Sequence, residues 1–140
     1  MTQILISSTF GFSVLKPGDS IGVKVNASSG LLANCHLGIY LGNEEVIDYT
    51  IESTVRKISL EVFTENNTQE LYRINYKKAP AAYKPEVIME TAMYKYSNQD
   101  FGHYNAITNN CAHFVTYCTF GKRFSLQIDK TVKSAFCVIV

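Results

Sequence analysis

The sequence lacks a strong excess of either charge: 13 Lys and Arg face 12 Asp and Glu, a formal charge of +1. A surface built to grip nucleic acid normally shows a clear basic excess, so that class of partner is not expected. Also missing is any apolar run near the ~18 residues of a spanning helix. The opening MTQILISSTF has neither the basic region nor the long apolar stretch of a secretory signal. Cysteine is scarce too. Cys35, Cys111, Cys118 and Cys137 are too few for a disulfide scaffold in 140 residues, and no CxxC pair points to a zinc finger. A cytoplasmic, reducing location with unpaired thiols is therefore expected, where the sequons at Asn26 and Asn66 are only loop composition. The chain shows no internal repeat and no low-complexity tract.

What is present is globular: 46% apolar and 18% charged residues. Residues 1–140 read as one domain, with about the first 15 and the last 10 residues peripheral. Residues 1–15 show no clear period. Pro17-Gly18-Asp19 is turn punctuation, and Ile21, Val23 and Val25 alternate as one strand face. Strands are expected over residues 35–41, 45–51, 55–63 and 71–76, with polar connections at 26–30 and 64–70. Pro80 and Pro85 flank a linker, and Pro85 or Glu86 opens a helix running to about Tyr96. A second helix starts at Asn109-Asn110 and stops at Gly121, and residues 129–140 show no clear type. Strands first and helices later predict an α+β fold, an antiparallel sheet packed against helices.

Two places offer chemistry. Asn109 or Asn110 can cap the second helix and put Cys111 in its first turn, where unpaired amides and the helix dipole favour a thiolate. The same cysteine also belongs to an apolar stripe with Phe114, Val115 and Cys118, so packing alone would account for it; Cys118 reads as structural. His113 is two residues along, about 200° around the helix, and points away as a surface or interfacial residue. His103 lies in a loop with no acid in view. The second place is the hairpin of His36 and Asp48. A three-residue loop, Gly42-Asn43-Glu44, pairs Ile39 with Ile47 and puts Asp48 opposite Gly38, diagonal to His36. There Asp48 can hold one imidazole nitrogen and leave the other for proton transfer. A polar, solvent-facing strand face would carry the same two residues. Together Cys111, His36 and Asp48 are the parts of a cysteine–histidine–aspartate set. A zinc site from Cys35, His36, Cys111 and His113 matches no usual ligand spacing, so no metal and no cofactor is expected.

The segment NNCAHFVTYCTFG, Asn109 to Gly121, resembles the NCEHFV motif of the lecithin:retinol acyltransferase family. HLGIYLGNEEVIDY, His36 to Tyr49, resembles that family's histidine box, and PGDSIGV, Pro17 to Val23, its opening strand. Tyr104 sits where members commonly carry a tyrosine. The resemblance implies a circularly permuted papain-like fold and a thiol-dependent phospholipase A or acyltransferase, working on phospholipid at a membrane surface. It implies Cys111 as nucleophile, His36 as base and later acid, and backbone N–H groups near Cys111 as oxyanion donors. Asp48 stands where animal members have a second histidine, Ala112 where the motif has Glu, and Leu37 where many have Trp. The end, SAFCVIV, stands where animal members carry an apolar anchor, and CVIV has the shape of a lipidation box with an atypical last residue. The same motif pair occurs in picornaviral 2A proteins, which implies an alternative: an interaction protein acting through host partners in replication.

Overall fold

The computed structural model describes residues 5–8, 11–24, 35–65, 71–76, 81–123 and 138–139. In chain order these form β1 (Leu5–Ser8), β2 (Gly11–Val14), β3 (Ser20–Lys24), β4 (Cys35–Gly42), β5 (Glu45–Tyr49) and β6 (Val55–Ser59). Then follow α1 (Leu60–Phe63), β7 (Leu71–Arg73), β8 (Asn75–Tyr76), α2 (Pro85–Asn98), α3 (Cys111–Phe120) and β9 (Val138–Ile139). Seven strands make one sheet in the order β2-β1-β7-β3-β4-β5-β6, and β8 pairs with β9 in a second. From β7 to β6 five neighbours run antiparallel. β1 joins them by a parallel pairing, Ser7 opposite Tyr72. This is the expected α+β arrangement, helices against a mainly antiparallel sheet. No helix among the described residues is long and apolar enough to cross a membrane.

β4 and β5 are covered on both faces, which places the site indoors. On one face Leu37, Ile39, Ile47 and Tyr49 pack with Ile88 and Ala92 of α2 and Phe114 and Val115 of α3. On the other, Tyr40 and Val46 pack with Ile21, Val23, Leu60 and Phe63. Successive residues alternate between these cores, so β4 and β5 lack the polar face of a surface hairpin. Gly38 is held at close quarters: a Cβ there would lie 2.7 Å from Val46 Cγ1 and 2.9 Å from the Ile47 carbonyl.

Several elements differ from expectation. The β4–β5 loop is a two-residue turn, Asn43-Glu44, both at positive φ, closed by Gly42 opposite Glu45. The three-residue loop is thus incorrect, yet its register survives. A bulge between Tyr40 and Gly42 absorbs one residue, so Ile39 still opposes Ile47 and Gly38 opposes Asp48. The strand expected over 55–63 stops at Ser59, whose Oγ accepts the Val62 N–H at 3.1 Å and starts the single turn of α1. The strand expected over 71–76 divides at Ile74, whose N–H donates to the Ser20 carbonyl at 2.9 Å, and Asn75-Tyr76 then pair with Val138-Ile139. Residues 1–15 contribute β1 and β2, strands of four residues each, too short to show a period. The connection at 26–30, both sequons, Val25, Cys137 and the Cys35 side chain lie outside the described residues.

α2 begins with Pro85 in its first turn and ends at Gln99, in the left-handed region. The Gln99 amide then bonds the Val55 N–H at 3.0 Å and the Val55 carbonyl at 2.7 Å, fixing the end of α2 to β6. α3 ends at Gly121, at φ 78°, the conformation a helix stop favours.

Candidate functional site

α3 starts where a side chain can replace the missing turn. Asn110 Oδ1 accepts the N–H of Ala112 at 2.9 Å and of His113 at 3.3 Å, while the Asn110 N–H donates to His113 Nδ1 at 3.2 Å. This reciprocal box corrects the reading of His113 as a surface residue: it is 6% exposed and closes the cap. Burial, then the Arg123 charge, holds its pKa below the ordinary value. The amides of Ala112 and His113 thus serve the cap. Cys111 is the first residue of the helix and 7% exposed. Cys118 is fully buried, and burial pushes its thiol up, away from the reactive form. His103 is exposed and contributes only its carbonyl, accepting from Asn109 Nδ2 at 3.0 Å.

His36 on β4 and Asp48 on β5 meet as the register predicts. His36 Nε2 donates to Asp48 Oδ2 at 2.7 Å. Cys111 lies close enough to the same imidazole for its sulfur and charge to favour the ring's proton; Nε2 is engaged with Asp48, which leaves Nδ1 as the ring's other nitrogen. The Phe63 ring lies 5.3 Å from the His36 ring and walls the site on one side. Asp48 has no solvent exposure at all, and a carboxylate in that position needs partners for its charge. It has a second one that the sequence reading missed. Arg56, opposite Asp48 on β6, donates from Nε to Oδ1 at 2.9 Å and from Nη2 to Oδ2 at 2.5 Å. The signal was available: matching Tyr49 with Val55 across the next turn, as Ile39 was matched with Ile47, sets Arg56 against Asp48.

Burial opposes charge on His36, but the bonds to Asp48 and to the Cys111 sulfur, with their charges, outweigh it and push the imidazole up to about 9. On Asp48 burial again works against the charge, and the bonds to His36 and Arg56 win, holding it below the usual carboxylate range. The imidazole is therefore protonated at neutral pH. Because it binds its proton more tightly folded than unfolded, the stability it contributes is full below pH 6.5 and is lost as pH rises through about 9. We expect a loss on the order of 3 kcal/mol between those limits, read from urea unfolding at stepped pH and absent in His36→Gln. A parallel dependence in both proteins would contradict it.

The loop before α3 is pinned to the sheet. Tyr49, fully buried, donates to the Gly102 carbonyl at 2.7 Å, and its ring meets Phe101 edge-on, Tyr104 at a tilt and Phe114 in a stack. Asn109 Nδ2 also donates to the Phe101 carbonyl at 3.1 Å. The Tyr104 N–H donates to Ser53 Oγ at 2.7 Å, which ties this loop to the β5–β6 turn. Burial, then the Cys111 charge, raises the Tyr104 hydroxyl.

The arrangement defines a class: an α+β domain in which a cysteine at a helix start meets a strand histidine held by a buried carboxylate. Residues 13–124 match the family described as Lecithin retinol acyltransferase, and the chain belongs to that family, whose chemistry is of the acyltransferase type. Comparison with curated proteins gives no match.

Proposed function

We propose that this protein is a thiol-dependent phospholipid acyl hydrolase or acyltransferase, with Cys111 as nucleophile, His36 as acid and base, and Asp48 as the carboxylate that orients His36. One observation carries the reading: an imidazole bonded to a fully buried carboxylate, with the sulfur that opens a helix near enough to act on the same ring. We also read the fold as circularly permuted papain-like, because the histidine strand precedes the cysteine helix in the chain.

In this cycle the Cys111 sulfur attacks the ester carbonyl carbon of a phospholipid, and the carbonyl electron pair moves to oxygen. Collapse breaks the ester C–O bond, and the departing lysophospholipid oxygen takes the proton from His36. The acyl group now rests on sulfur as a thioester. His36, neutral at this stage, takes a proton from water, an amine or an alcohol as that acceptor attacks. The sulfur leaves as thiolate beside a reprotonated imidazole. Asp48 keeps the ring in place throughout.

The test is intact mass measurement of the folded protein after brief exposure to phosphatidylcholine vesicles, with peptide mapping and fatty-acid release measured alongside. An acyl mass on the Cys111 peptide is expected. Absence of both adduct and released fatty acid would overturn the enzymatic reading and favour the protein-interaction role.

A further inference from the structure

The Asp48 carboxylate serves two cations unequally. Among the described residues Oδ1 accepts from Arg56 Nε alone, whereas Oδ2 is shared between Arg56 Nη2 and His36 Nε2. Arg56 comes from the neighbouring strand, directly opposite Asp48, and its side chain is 42% exposed, so the guanidinium bridges solvent and a carboxylate that solvent never reaches. A planar fork with two N–H groups on two oxygens fixes the plane of a carboxylate as a lysine cannot.

We propose that Arg56 is a positioning residue for the thiol–imidazole pair: it locks the Asp48 carboxylate in plane and competes with His36 for Oδ2, and so sets how firmly His36 keeps its proton. The consequence for catalysis rests on the function proposed above; the geometry and its test do not. Among the described residues the groups that face His36 are Asp48 from β5, Cys111 from α3 and the uncharged Phe63 ring from α1. Arg56 reaches it through Asp48 from β6, and Glu52 acts in turn on Arg56. Without Arg56 the whole carboxylate charge falls to the imidazole, which then binds its proton more tightly. Such an imidazole is a better acid partner for the leaving oxygen only in occupancy, and a poorer base for deacylation. Arg56 thus keeps His36 able to both give and take a proton within one cycle.

Ring proton–carbon NMR spectra of the full chain across pH test this directly. The chain has 3 histidines, so His103 and His113 serve as internal references. In Arg56→Gln the His36 midpoint is expected to rise by about one pH unit, with the two references unmoved. Arg56→Lys, which restores charge without the fork, is expected to bring the midpoint back toward wild type. An unchanged or lowered His36 midpoint in a folded Arg56→Gln sample would overturn the proposal. Wild type supplies a measurement that needs no variant. When His36 loses its proton, Nε2–H stays on Oδ2 but the ring loses its positive charge, so the guanidinium holds more of the carboxylate charge and the Arg56 Nε nitrogen resonance should shift with the His36 midpoint. A flat Arg56 signal through that range would equally overturn the proposal. Neither readout depends on turnover, so an inactive protein with the expected shifts would sink the enzymatic reading and leave this one standing.

Discussion

Cys111→Ala is expected to abolish the acyl adduct and to lower fatty-acid release on the order of 10⁴-fold or more, down to what binding and dipoles supply without a nucleophile. The fold should persist, because alanine fills most of a site that sits at the helix start, and the Asn110 box that caps α3 uses no atom of the Cys111 side chain. Release of labelled fatty acid from phosphatidylcholine vesicles, beside a thermal unfolding curve, separates the two effects. A folded Cys111→Ala protein with undiminished release would mean that another group carries the chemistry. Cys118 is not a credible substitute, since burial holds its thiol protonated.

Asp48→Asn should give the second largest effect. It keeps the shape of the side chain and removes the charge that His36 and Arg56 share. Turnover should fall on the order of 10³- to 10⁴-fold, the upper end being the scale seen when an orienting carboxylate is replaced by its amide. The His36 midpoint should drop from about 9 toward its ordinary value, because the bond and charge of Asp48 support it. The loss of stability as pH rises through about 9 should shrink accordingly, as should the loss in acid as Asp48 protonates below its usual range. The cost to folding at neutral pH should be about 3 kcal/mol or less, because Arg56 is left without its counter-ion but reaches water. Steady-state kinetics and urea unfolding at pH 5, 7 and 9 check these points together. Wild-type turnover in a folded Asp48→Asn protein would remove Asp48 from the mechanism.

Much of this geometry was legible before any coordinates. Hydrophobic matching across one hairpin set Asp48 opposite Gly38, and capping chemistry put Cys111 in the first turn of α3. Other features were hidden for physical reasons. A bulge adds one residue without disturbing the alternation on either side, so periodicity cannot separate a three-residue loop from a two-residue turn plus bulge. His113 was misplaced because a capping box is ordinarily recognised by Glu or Gln at its third position; here a histidine ring nitrogen accepts the bond instead. α3 also looked one-sided, yet Thr116 and Thr119 are buried along with Phe114, because the helix packs against both the sheet and α2. Burial on both faces of β4 and β5 could not be read from a hairpin that carries His and Asp on one side. That burial is what makes Asp48 require Arg56.

The central claim is that one imidazole is shared between a buried carboxylate and a helix-start sulfur, and its proton titration tests this most directly. In the intact protein the His36 ring should titrate with a midpoint near 9, and the midpoint should fall in both Cys111→Ala and Asp48→Asn. A midpoint near the ordinary 6.5, unmoved by removal of the sulfur, would contradict the account at its root.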